Sequence, residues 1–177
     1  MACFGIGACA KSFGNYFVPF VLDSLKQLAA VFSRGKDCDN AICAVGKILR
    51  YHAPHVPGFQ DVLIKWLSAL PLDSNASEAR SCHTLLIDFC ELYPDLLSSP
   101  HNTKILSVLG AIVGTPLLDK HATQRTKAIL QRLSQLVPQS SFAVLPEKHQ
   151  KAVQTFITQA QQPTTPSQAS IPLSPVS

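Results

Sequence analysis

Charge is scarce in this chain. Of its 177 residues only 15% are Asp, Glu, Lys or Arg, while 46% are hydrophobic. That balance excludes a chain disordered throughout and leaves enough apolar surface for one domain with a real core. Alternating runs of strand formers are also missing, which argues against a half-buried sheet. No apolar stretch reaches the length of a membrane span: Val62–Leu72 is broken by Lys65. Residues 1–10 are apolar but have no basic lead, so they do not read as a secretory leader.

Catalytic and metal signatures are lacking too. The six cysteines form no C-x-x-C pair, and most sit among apolar neighbours, as reduced core thiols do. His52, His55, His83, His101, His121 and His149 are scattered, with no ligand set of zinc spacing around them. Cys82 and His83 are adjacent, which on a helix points them apart rather than together as nucleophile and base. Gly5-Ile6-Gly7 lacks the third glycine and the preceding strand of a dinucleotide fingerprint. The sequence therefore points to no enzyme, no cofactor and no metal, and its glycines read as points of close helix approach.

What is present is a rhythm of helices. Leu, Ala, Val, Ile and Lys fill the stretches between Pro and Gly breakers, an all-α composition. The segments read as residues 2–12, 16–33, 37–53, 59–70, 76–97, 102–113, 116–137 and 146–160. Taken in pairs with their turns they repeat at roughly forty residues, the length of a HEAT-type helical hairpin. In the segment 37–53, Cys38, Ala41, Ile42, Val45, Ile48 and Leu49 share a stripe, with Asn40, Cys43, Lys47 and Arg50 opposite. In 116–137, Leu118, Ala122, Ile129, Leu133 and Leu136 share a stripe, with Lys120 and Lys127 opposite. In 76–97 the apolar side holds Ala79, Leu86, Phe89, Cys90 and Tyr93. Such helices need neighbours, and stacked hairpins supply them; a compact helical bundle satisfies the same pattern.

The two ends differ. Phe4, Ile6 and Cys9 are already apolar in the first helix, so residues 1–160 read as a helical-repeat segment that expects a further partner hairpin before it. Residues 161–177 carry no charge and are rich in Gln, Pro, Ser and Thr, and are expected to form a disordered tail. Basic residues concentrate late: from His101 on there are seven, against only Asp119 and Glu147. That cluster is too sparse for a nucleic-acid footprint and is better matched to an acidic partner.

Several stretches carry a family resemblance. Ala2-Cys3-Phe4-Gly5-Ile6-Gly7-Ala8-Cys9-Ala10 resembles the small-residue helix that precedes the last repeats of the importin-β superfamily (karyopherin β), on the branch of importin four and importin five, and Tyr16-Phe17-Val18-Pro19-Phe20 resembles the start of the outer helix that follows. Asp39-Asn40-Ala41-Ile42-Cys43-Ala44-Val45-Gly46-Lys47-Ile48 resembles the inner helix that follows. Val62-Leu63-Ile64-Lys65-Trp66-Leu67-Ser68-Ala69-Leu70-Pro71-Leu72 is similar to that branch's next outer helix, with an acidic start to its partner at Glu78-Ala79. The resemblance runs from residue 1 to about 160. It implies a HEAT-type α-α superhelix of three to four hairpins. It further implies nuclear import of protein cargo by a non-enzymatic receptor, shuttling between cytoplasm and nucleus. Cargo, phenylalanine-glycine nucleoporins and Ran-GTP are the partners implied for a full receptor, of which this stretch is a fraction lacking the N-terminal repeats of the main Ran contact. A membrane and nucleic acid are not among them. A compact all-α adaptor unrelated to transport, or a truncated product without a role of its own, are the alternatives.

Six residues stand out as candidates on that reading. Asn40 is expected to cap or tie neighbouring hairpins. Lys47, Arg50, Lys120 and Lys127 form either a solvated face or a surface for an acidic partner. Trp66, the single tryptophan, is core or the wall of a slot between adjacent outer helices that accepts a nucleoporin phenylalanine.

Overall fold

The computed structural model describes residues 2–33, 38–98 and 100–160. The expected tail at 161–177 lies outside the described residues. Within them the fold is all-α and HEAT-like. The helices are α1 (Ala2–Ser12), α2 (Val21–Phe32), α3 (Asp39–His52), α4 (Phe59–Ser68), α5 (Ala76–Leu92), α6 (Asn102–Ile112), α7 (Lys120–Leu136), α8 (Gln139–Ala143) and α9 (Glu147–Ala160).

Local chemistry explains where they start and stop. The side chain of Asn75 caps α5 by accepting from the Ser77 and Glu78 amides. Asp119 caps α7 by accepting from the Ala122 amide at 2.7 Å. Three expected helices are clearly shorter than their segments: α7 begins only at Lys120, past Pro116, and two more are cut at prolines. Residues Gly14–Phe20 form a 3-10 stretch containing Pro19, and α2 begins only at Val21. Pro94 likewise ends α5, and Pro94–Leu97 turns as a 3-10 helix. In both places proline removes an amide that an α-helix needs.

The helices stand in two rows. One, the odd row, runs α1, α3, α5, α7; the flanking row runs α2, α4, α6, α9. Substantial contacts link only neighbours within a row or across the two, so α1 meets α3 but not α7. That layout is a stack of hairpins around one extended core, rather than a bundle closed on itself.

Close approach is set by two glycines. A Cβ on Gly7 would lie 3.1 Å from the Ala44 Cα, where α1 meets α3. A Cβ on Gly46 would lie 2.8 Å from Trp66 Nε1, where α3 meets α4. A side chain at Gly46 would force Trp66 to shift, and one at Gly7 would press α1 and α3 a few tenths of an ångström apart.

The expected stripes hold in part. Ala41, Ile42, Ile48 and Leu49 are buried, as are Ala122, Ile129 and Leu133, but Leu136 is 45% exposed. Cys43, assigned to the polar side of its helix, is 0% exposed. It is buried because α3 sits mid-row, with α1 and α5 on either side and α2 and α4 behind it. At the other end of the row Phe4 is largely exposed, while Ile6 and Cys9 pack part-buried against the core.

Candidate interaction grooves

Among the described residues two concave surfaces stand out. The first lies between α2 and α4 and has a volume of about 460 Å³. Leu22, Leu25 and Phe32 of α2 line it, with Val45 of α3 and Val62 and Trp66 of α4. The exposed Lys26 and Lys65 belong to it as well. Trp66 is a core residue that also lines this groove. Its ring is 1% exposed, meets Phe89 edge-on at 5.3 Å and donates from Nε1 to the Ile42 carbonyl at 2.9 Å. What faces the groove is the margin of a side chain fixed by the core.

The second surface lies on the odd row and is polar. Here the four cations named from the sequence do not form one face. Lys47 is part-buried, 3.9 Å from the Glu78 carboxylate and 5.6 Å from the Phe4 ring centroid. Arg50 pairs with Asp88 at 3.3 Å. Lys120 is exposed at the first turn of α7, and Lys127 turns towards α9, its ammonium 5.5 Å from the Phe156 ring. Asn40 is part-buried in the first turn of α3. The tie between hairpins at this point comes from its neighbour: the Asp39 carboxylate accepts from the Asn75 amide at 2.9 Å.

A charged ladder that sequence reading missed crosses three helices. Asp88 of α5 accepts from Arg50 of α3 and, at 2.6 Å, from Arg125 of α7. Arg125 also donates from Nε to Glu91 at 2.9 Å. The bond to Glu91 is the largest influence and raises the guanidinium above its ordinary range; burial opposes it, and the bond to Asp88 adds to the rise. The signal for this ladder is the Asp88–Glu91 spacing on one face of α5. Its partners lie 38 and 37 residues away, which no local pattern encodes.

The buried titratable groups are structural. Burial and the neighbouring thiol of Cys43 bear on Cys82, the Cys43 bond first, and both raise it well above its usual value. Burial pushes the Cys90 thiol up to about 12. Both stay protonated at neutral pH, which removes the thiolate that nucleophilic chemistry needs.

His83 is fully buried and joins two loops to α5. Its Nε2 accepts from the Leu72 amide at 3.3 Å, and Nδ1 donates to the Leu117 carbonyl at 3.3 Å. Both roles together require the neutral ring. Burial lowers its pKa, partly offset by the Leu117 bond. The unfolded chain then binds this proton more readily than the folded one. Stability from His83 is full above about pH 6.5 and is lost as pH falls below it. The melting temperature should therefore drop on acidification through that window. His83→Gln, which still donates and accepts, should flatten the drop; an equal slope in both proteins would refute the assignment.

Among the described residues no group of His, Cys, Asp and Glu is arranged to hold a metal ion. Nor is any described helix long and apolar enough to cross a membrane.

No family model matches the chain. It is similar to a protein of Dictyostelium discoideum described as a probable importin-5 homolog, with 27% identity over 161 residues. The match covers 82% of this chain and 15% of that relative, so the chain spans a small part of the protein it resembles.

Proposed function

We propose that this chain is a stretch of helical repeats from an importin-β-type nuclear import receptor and acts by binding. The observation that carries the reading is the match to the importin-5 homolog over 82% of the chain, joined to a stack of α-hairpins. The whole receptor would bind protein cargo and Ran-GTP and would shuttle between cytoplasm and nucleus; this stretch contributes surface to that work.

The groove between α2 and α4 is the surface we assign to phenylalanine-glycine nucleoporins. Its chemistry fits: an apolar trough between adjacent helices of one row, walled by Leu22, Leu25, Phe32 and Val62. A phenylalanine ring buries well in such a trough, and the flanking glycine lets its backbone come close. Trp66 serves as an internal reporter, being the sole tryptophan and part of the wall.

Titration with a Phe-Gly peptide should change Trp66 fluorescence saturably, while a Ser-Gly peptide of equal length should not. Ala29→Glu places a carboxylate at an exposed position of the wall and should weaken binding at least about tenfold, since a buried charge costs more than 1.4 kcal/mol. Equal response to the two peptides, or no effect of Ala29→Glu, would remove the assignment.

A further inference from the structure

We propose that the polar groove on the odd row binds an acidic peptide segment in extended form. The groove has a volume of about 520 Å³ and spans from Lys11 of α1 across Lys47 and Tyr51 of α3 to the face of α5. It goes beyond the transport reading and shares no residue with the trough between α2 and α4.

Charge satisfaction carries the argument. Both carboxylates in the groove are already engaged. Asp88 holds Arg50 and Arg125, and Asp119 caps α7. Its cations are not matched in the same way. Lys47 reaches Glu78 only at 3.9 Å. Lys11 and Arg80 are exposed and, among the described residues, form no ion pair. An incoming carboxylate thus meets cations without displacing a protein partner, whereas an incoming cation finds no free acid.

The α5 face is built for the same class of ligand. Ser77, Arg80, Ser81 and Thr84 recur at i, i+3, i+4 and i+7, one stripe of the helix. Among the described residues the Ser77 and Ser81 hydroxyls have no protein partner, so they are donors beside the Arg80 guanidinium. Arg80 can take a carboxylate with two parallel N–H groups. Lys11 and Arg80 stand on α1 and α5, whose axes are two helix spacings apart, roughly 16–20 Å across the row. An extended segment of about six residues covers that distance, with alternate side chains pointing to one side. A segment with acidic residues at both ends therefore reaches both cations at once.

The test uses the full chain and a fluorescent peptide of alternating Glu and Ser, with a Gln-for-Glu peptide as control, read by anisotropy. The Glu peptide should bind and the Gln peptide should not, and binding should weaken as salt rises. Lys11→Glu and Arg80→Glu alter exposed, unpaired side chains, so circular dichroism should show an unchanged fold. Each should weaken binding about tenfold or more, and the pair should abolish it. Lys148→Glu on α9, also exposed, makes the same change in net charge away from the groove and should bind as the parent does. Equal losses in all three variants would reduce the effect to net charge and overturn the proposal. So would a single-stranded oligonucleotide of equal charge binding more tightly than the peptide, which would give the groove to nucleic acid. A failed Phe-Gly titration leaves these outcomes untouched, because the two sites share no residue.

Discussion

Trp66→Ala should destabilise the fold by about 3–5 kcal/mol, the cost of truncating a fully enclosed aromatic. Three losses add up at this position. The ring leaves a cavity against Phe89, whose centroid is 5.3 Å away. The Nε1 donor to Ile42 disappears. The gap between α3 and α4 also stays open, because Gly46 has no side chain to fill it. Trp66→Phe keeps most of the ring and loses mainly the hydrogen bond, so about 1–2 kcal/mol is expected. Urea unfolding followed by circular dichroism measures both, since tryptophan emission is lost with the residue. A Trp66→Ala protein within about 1 kcal/mol of the parent would mean that the ring is not the keystone between these hairpins.

That residue also shows how far the sequence could be read. A lone tryptophan on an amphipathic helix is ambiguous between core and slot, and the structure places the ring in the core with its margin at the groove. The helical rhythm is legible because Pro and Gly break the chain at intervals of about one helix. The exceptions, at Pro19 and Pro94, follow the same chemistry and shorten two helices. What periodicity cannot express is a second neighbour. It finds the stripe facing the core and treats the remainder as solvated, which suits a surface helix and fails for α3 in mid-row. Cys43, Lys47 and Arg50 fall in that remainder, yet Cys43 is fully enclosed and both cations reach carboxylates of α5. The sequence points to Asn40 as the tie between hairpins, and Asp39, one residue earlier, makes it. That distinction depends on where the Asn75 amide arrives, which is a tertiary fact.

The same logic of neighbours gives the second large effect, at Asp88. Its carboxylate, 21% exposed, lies between Arg50 of α3 and Arg125 of α7. Asp88→Ala leaves two guanidiniums facing each other across α5. Arg125 retains Glu91, so the deficit falls mainly on Arg50 and the α3–α5 contact. Fully buried pairs lose about 3–5 kcal/mol when one partner is removed, and exposed ones less than about 1. Partial exposure puts the expected loss at about 1–3 kcal/mol. Asp88→Asn, which still accepts a hydrogen bond without the charge, should lose less. Because the repulsion left by Asp88→Ala is electrostatic and reaches solvent, its deficit should shrink as sodium chloride is raised. A loss that salt does not change would assign Asp88 a packing role only. In a stack where each hairpin is held by its neighbours, weakening α3–α5 weakens a boundary rather than a single helix. Amide exchange should therefore accelerate together through α1–α3 in Asp88→Ala, while α6 and α9, which lie beyond the ladder, keep their protection.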